Sequence, residues 1–302
     1  MNRKVIYTAV VGSYDNILQP KAIRSDYDYI LYSNDINKQH IGIWEIRSIP
    51  YDNKDKTRIA RWVKTHPHKL LKEYEASVWL DSNITIVSED FYTIIENLQR
   101  KNILISSMAH PERDCIYEEC LPAFFYYKRD SLYHMIPEII HLKHQNYPKH
   151  NGLCETGCLY RKHEDYIISR FNDYWWNMIN KYSKRDQLSF NYALWENNIS
   201  IHYMLGHNFC VRNHHAFQYH GHSIIHNDIA WRDVVVNGKA RIRLILWYNR
   251  MLTAANYSPK EIFYAVSTIL YGWYIEYNVK FFYHSKLGRK VLKILMKIKN
   301  IK

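Results

Sequence analysis

Two oxygen-bearing residues at the end of an apolar run, in Trp79-Leu80-Asp81-Ser82-Asn83, are the sharpest chemical feature of the sequence. Alternate strand residues point to the same side, so Asp81 and Asn83 can offer two oxygen ligands to one divalent ion. Hard cations such as Mn²⁺ or Mg²⁺ take such ligands and bridge to substrate phosphates. Taken alone, Asp-x-Asn serves equally well as a turn or a cap. Upstream, Arg58, Arg61 and Lys64 stand three residues apart, so on a helix they share one face. That face is either a grip for phosphate oxygens or a solvated basic surface. Downstream, His110, Arg113 and Asp114 put an imidazole, a cation and a carboxylate into five residues, suited to orienting a sugar or to capping a helix. Asp186 opens a helical pattern after Ser183-Lys184-Arg185, either as a first-turn stabiliser or as a substrate-facing carboxylate.

These residues must be positioned by elements whose patterning is legible. Lys4–Val11 and Tyr29–Leu31 are apolar, β-branched or aromatic runs ending in polar clusters, as buried strands do. The apolar positions Ile59, Trp62, Val63, Leu70 and Leu71 recur at helical spacing, with Pro67 as a kink. Ser77–Leu80 predicts a strand that ends at Asp81, followed by a helix over 91–100 and a strand over 102–107. Helices are expected over 165–182 and 187–197, and strand and loop over 202–226. The alternation predicts an α/β fold with a mostly parallel central sheet flanked by helices. Such sheets bind ligands beyond the carboxyl ends of their strands, where Asp35 and Asp81 both lie.

Seventeen histidines invite a zinc reading, but His214-His215 and His220-Gly221-His222 match no helical or finger spacing. The five cysteines form no C-x-x-C pair, which fits free thiols in a reducing compartment. Net charge is +12, yet residues 240–302 hold 12 Lys or Arg against Glu261 and Glu276, leaving only +2 for residues 1–239. A charge gathered at one end, not spread over a groove-sized face, argues against nucleic acid as the partner. The N-terminus lacks a signal-like apolar stretch, and the longest uncharged apolar run, Ile262–Ile275, is shorter than the roughly 20 residues of a bilayer-spanning helix. From Ser285 on, Leu287, Val291, Ile294, Leu295, Ile298 and Ile301 form one stripe, and Lys286, Arg289, Lys290, Lys293 and Lys297 the opposite face. A basic amphipathic helix preceded by an aromatic-rich run suits a membrane surface; it also suits packing on a domain with its lysines in water.

Five ordered segments resemble a glycosyltransferase-like family that includes plant proteins linked to mucilage and turgor regulation and bacterial proteins of capsule and surface-polysaccharide loci. They are Tyr7–Asp15, Trp79–Asn83, His110–Glu119, Glu155–Gly157 and Ser183–Phe190, with Cys210–His220 also similar. The resemblance spans roughly residues 4–222 and implies a GT-A-like nucleotide-binding domain over 1–235, similar in layout to the glycogenin-like retaining transferases. Residues 236–302, which the resemblance does not reach, are expected from their own pattern to form a basic, aromatic-rich helical extension at the membrane surface. The resemblance covers the site residues before them. It also implies that Asp81, Asn83 and His220 hold Mn²⁺ or Mg²⁺, with His222 in reserve. The second position of the motif is Asn83 where the family pattern has a carboxylate, so one negative charge is missing. Thr8, Val10, Tyr14, Asp35, Lys64 and Asp81 are implied on the nucleotide side. Glu155, Asp186 and Gln187 are implied at the reacting centre, and His110, Arg113, Asp114, Thr156 and Gly157 beside the sugar or acceptor. Asp186 is either a base, if the reaction inverts, or a donor-sugar contact, if configuration is retained.

The function expected is transfer of a sugar from a nucleotide-diphosphate donor, foremost a UDP-sugar, to a glycan or lipid-linked glycan. Its expected location is cytoplasmic, peripheral at the inner face of the cell membrane. The competing readings are a metal-dependent hydrolase of lipid amides, disfavoured by the missing compact zinc set, and a non-catalytic membrane- or nucleic-acid-binding protein.

Overall fold

The computed structural model describes residues 4–12, 15–126, 130–163, 165–221, 239–254 and 258–299. The chain divides into two compact units: Met1–Ile116 with His150–Ile225, and Tyr117–Lys149 with His226–Lys302.

The first unit is built on an eight-stranded sheet. Its strands are β1 (Lys4–Ala9), β2 (Tyr27–Tyr32), β3 (His40–Ile41), β4 (Trp44–Arg47), β5 (Ala76–Leu80), β7 (Ile105–Ala109), β8 (Cys154–Lys162) and β9 (His202–Tyr203), in the order β3-β4-β2-β1-β5-β8-β7-β9. Strands β4, β2, β1 and β5 run parallel, β8 lies antiparallel between β5 and β7, and β9 is parallel to β7. The expected α/β fold with a mostly parallel sheet is therefore present. A small second sheet pairs β6 (Ile84–Ile86) with β10 (Phe217–Tyr219), antiparallel.

Period-two alternation splits the core between the two faces of the sheet. Ile6, Leu31, Val78 and Leu80 meet Phe91, Ile95 and Leu98 of α3 (Asp90–Arg100) on one side. Val5, Tyr7, Ile30 and Trp79 meet Val63 of α1 (Lys56–Thr65), Phe171 and Trp175 of α6 (Tyr166–Lys181), and Phe190 of α7 (Gln187–Glu196) on the other. Pro67 does end a helix: α1 stops at Thr65 and the short α2 (Pro67–Leu70) restarts with the proline at its first position, where its missing N–H costs nothing. Asp55 and Asp165 cap α1 and α6 by accepting the N–H groups of Thr57 and Ile167, at 3.0 and 2.8 Å.

The second unit is helical. It contains α4 (Ile116–Phe125), α5 (Leu132–His144), α8 (Lys239–Thr253), α9 (Pro259–His284) and α10 (Lys286–Lys299). The buried Gly272 of α9 lets Leu132 of α5 close in; a Cβ there would lie 2.3 Å from Leu132 Cδ1. Lys143 of α5 donates to the carbonyls of Met251 and Ala254 at the end of α8 and to the Glu261 carboxylate in the first turn of α9. One ammonium thus satisfies orphan carbonyls and a buried carboxylate together. No helix among the described residues is long and apolar enough to cross a membrane.

Candidate active site

The parallel strands β1 and β5 end side by side, and the polar residues cluster there. Asp81 leaves β5 with its N–H bonded to the Gly157 carbonyl of β8 at 2.8 Å. Its Oδ1 accepts from Trp79 Nε1 at 2.7 Å and from Lys64 Nζ at 3.3 Å. Lys64 comes from the last turn of α1 and is fully buried. Its ammonium also donates to Asp186 Oδ2 at 2.7 Å and to Thr156 Oγ1 at 3.2 Å, so all three protons are used. Thr156 in turn donates to Asp186 Oδ2 at 2.9 Å, and Arg61 approaches Asp186 Oδ1 at 3.4 Å. Four segments far apart in sequence (α1, the end of β5, β8 and the start of α7) therefore meet on one nitrogen.

Charge explains why these groups tolerate burial. Burial by itself would raise the Asp186 carboxyl, but Arg61, Lys64 and Arg185 together hold it far below the usual carboxylate range. Burial likewise pulls the Lys64 ammonium down, against the attraction of Asp186 and Asp81. Asp186 stands at the cap position of α7 but makes no capping bond there, so its carboxylate belongs to Lys64 and not to the helix. The evenly spaced Arg58, Arg61 and Lys64 of α1 do not form a shared phosphate grip. Arg58 donates to the carbonyls of Ile179 and Tyr182, closing the end of α6, while Arg61 and Lys64 turn to Asp186.

Thr8, Val10 and Asp81 line a narrow hollow, with room for about one water inside its open mouth, together with Ile17, Leu31 and Trp44. Thr8 Oγ1 is buried there without a partner. Asp35 accepts the N–H of Gly12, whose positive φ of 74° suits glycine at the turn after β1. Among the described residues two more buried oxygens have no hydrogen-bond partner: Glu155 Oε2 on β8 and Gln187 Oε1 beside Asp186. Buried polar atoms are almost always bonded, so three orphans near one strand end mark places for a ligand or water. Glu155 Oε1 pairs with Arg212, which lies over the Tyr219 ring at 4.8 Å. Burial pushes the Glu155 carboxyl up, Arg212 opposes this, and the Asp81 charge adds to it.

Asn83 and His220 are brought together, chiefly through their backbones. The His220 N–H donates to the Asn83 carbonyl at 2.8 Å, and Asn83 Nδ2 donates to the His220 carbonyl at 3.0 Å, extending the β6–β10 ladder. The His220 ring has its Nε2 at 3.1 Å from Thr85 Oγ1, leaving Nδ1 for any ligation. Asp81 Oδ2 has no hydrogen-bond partner among the described residues, and its side chain is one-third exposed. Gly157 keeps the space beside it open, since a Cβ there would lie 3.5 Å from that oxygen. The Asp81 carboxylate oxygen is the group at this strand end that could take a cation, which would complete its shell with phosphate and water.

His110 and Asp114 are organised locally. His110 Nδ1 accepts the N–H groups of Glu112 and Arg113, Arg113 pairs with Glu112, and Asp114 pairs with His150. Tyr14 and His222 lie outside the described residues. The pattern-based reading missed Arg212 and Trp79 as site neighbours. Trp79 carried a signal, since it stands two residues before Asp81 on the same strand face; Arg212, 57 residues from Glu155, carried only its place in the Cys210–His220 segment.

A sheet that gathers a carboxylate, a buried cation and a hollow at its parallel strand ends has the ligand-binding edge of an open α/β fold. The chain belongs to the TOD1/MUCI70 family of glycosyltransferase-like domains, whose model matches residues 29–221. Among curated proteins no sequence match is found. Solved structures similar to it include the WbbM bifunctional glycosyltransferase in its apo form, at 10% identity and a TM-score of 0.39, covering 67% of this chain and 38% of that one. The chain thus spans well under half of WbbM. Core-mannan synthase A from Aspergillus fumigatus, in its Mn/GDP form, gives 10% identity and 0.42, over 67% and 72% of the two chains. Mouse xyloside xylosyltransferase 1, apo form, gives 8% and 0.38, over 72% and 97%.

Proposed function

We propose that the protein transfers a sugar from a nucleotide-diphosphate donor to a glycan or lipid-linked glycan acceptor, in a metal-dependent reaction serving capsule or surface-polysaccharide synthesis at the inner face of the cell membrane. The observation that carries this reading is the junction at the ends of β1 and β5, where a free Asp81 oxygen adjoins an apolar hollow containing the orphaned Thr8 hydroxyl. A nucleoside would dock at the mouth of the hollow, with Val10, Leu31 and Trp44 towards the base and Thr8 and the neighbouring Asp35 as polar partners. Asp81 would hold Mn²⁺ or Mg²⁺ through Oδ2, with Asn83 and His220 as further ligands. When bound, the ion would neutralise charge developing on the leaving diphosphate.

The protein's own groups divide the remaining work. Asp186, buried and held ionised by Arg61 and Lys64, is a poor proton acceptor, because a strongly depressed pKa makes a weak base. This favours a positioning role for Asp186 over a base. Lys64 fixes Asp81, Thr156 and Asp186 relative to one another, so the donor meets a preorganised charge pattern. Glu155, with a free oxygen and a raised carboxyl, is better suited to exchanging a proton with a sugar hydroxyl. Gln187 offers its orphaned oxygen as a hydrogen-bond acceptor to the sugar.

Calorimetric titration with UDP, GDP and CDP, each with and without Mn²⁺, tests the reading. Metal-dependent binding of one nucleotide, lost in Asp81→Ala, is the expected result, with UDP the first candidate. Folded protein that binds none of the three refutes it.

A further inference from the structure

Helix α9 is apolar on nearly every side, yet its described residues are covered on one side and exposed on another. Ala265, Thr268, Gly272 and Ile275 are buried, with Gly272 against α5 and Tyr271 edge-on to Trp247 of α8. On the opposite side Phe263 (63% exposed), Val266, Leu270 (60%), Trp273 (62%), Tyr277 (59%) and Phe281 stand in the open. Their spacing of three or four residues confines them to an arc of about 80°, and they extend for roughly 27 Å along the helix. A continuous exposed stripe of this kind marks an interaction surface.

Charge selects the occupant. Residues 240–302 of this same unit carry 12 basic side chains against two acidic ones. On α10, Lys286, Arg289, Lys290 and Lys293 follow directly, with Leu287 and Ile294 exposed beside them. A second copy laid on the stripe would bring like charge to like charge. A surface of anionic lipid headgroups would be attracted, and Trp273 and Tyr277 have the amphipathic rings that favour the headgroup level. The helix is not apolar enough to span a bilayer, so it would lie in the interface plane.

We infer that the Phe263–Phe281 stripe of α9, flanked by the cations of α10, seats the protein on an anionic lipid bilayer. This moves the apolar contact from α10, where sequence periodicity places it, to α9. The inference rests on the proposed peripheral location and is independent of the donor chemistry.

The test is co-sedimentation of the full-length protein with phosphatidylcholine vesicles, with and without phosphatidylglycerol, alongside tryptophan emission. Wild type should bind the phosphatidylglycerol vesicles with a blue shift, bind neutral vesicles less and release at high salt. The variant Leu270→Ser/Trp273→Ser/Tyr277→Ser should lose binding about tenfold or more while keeping nucleotide binding, which also reports that it is folded. A Lys290→Glu/Lys293→Glu variant, which leaves the stripe intact, should weaken binding to anionic vesicles alone. Absence of binding to anionic vesicles, equal binding by the stripe variant, or a concentration-dependent dimer that the stripe variant abolishes would each overturn the inference. Vesicle binding without nucleotide binding would instead sink the transferase reading and leave this one standing.

Discussion

Replacing Lys64 by Met should uncouple the strand-end site while leaving most of the sheet intact. The side chain fits the same channel, so the loss is the ammonium. Asp186 Oδ2 then keeps only Thr156, and Asp81 Oδ1 only Trp79. Breaking a buried pair from one side costs about 3–5 kcal/mol. Arg61 remains at 3.4 Å from the other Asp186 oxygen, which puts the expected loss near the lower end, about 3 kcal/mol. For a chain of 302 residues that corresponds to a fall in melting temperature of roughly 5 °C. Adding Asp186→Asn removes the uncompensated carboxylate, so the double variant should be more stable than the sum of the single effects by about 2 kcal/mol. Urea denaturation of the four proteins at pH 7 measures this coupling. Acid adds a second reading. The folded-state pKa of Asp186 is depressed, so its stabilising contribution is present above the unfolded value near 4 and disappears as pH falls toward the folded one. Wild type should therefore lose more stability than Asp186→Asn between about pH 5 and pH 2. Equal stability of wild type and Lys64→Met, or strict additivity in the cycle, would refute the account of Lys64 as the site's central tie.

Gly157→Ala places a methyl 3.0 Å from Ile84 Cδ1 and 3.5 Å from Asp81 Oδ2; it should cost about 1–2 kcal/mol of stability and weaken metal-dependent nucleotide binding, read by thermal melts and calorimetry. Unchanged affinity would show that the space beside Asp81 is not used. Glu155→Gln should abolish an acid limb of the transferase pH–rate profile lying above the ordinary glutamate range, because burial raises that carboxyl; a limb that persists in the variant assigns it elsewhere.

Much of the catalytic frame was readable as pattern. The runs around Ile6, Ile30 and Val78 are buried parallel strands, Asp81 stands at a strand end, and Pro67 marks a helix boundary, because each depends on neighbours within a few residues. Trp79–Asn83, Glu155–Gly157 and Ser183–Phe190, all within the matched residues 29–221, also carried the family resemblance, since their order along the chain is itself sequence information. The functions of the individual side chains were less legible. Arg58, Arg61 and Lys64 share a spacing, but one caps α6 and two serve Asp186. Asn83 has the position of a ligand and spends its amide nitrogen on β10.

Local features are written in the sequence: strand alternation, the helix start at Asp165, the concentration of positive charge after residue 239, and a carboxylate at the end of β5. The meetings of distant segments belong to the folded chain. Lys64 joins Asp81, Thr156 and Asp186 across 17, 92 and 122 residues, because β8 enters the sheet antiparallel beside β5 and α7 starts against it. Residues 117–149 join the C-terminal helices, and α9, apolar all round, shows only in the folded unit which of its faces is covered. Periodicity reports which side of an element is apolar; the partner that covers it, and the one charge that three separate strands and helices share, follow from topology.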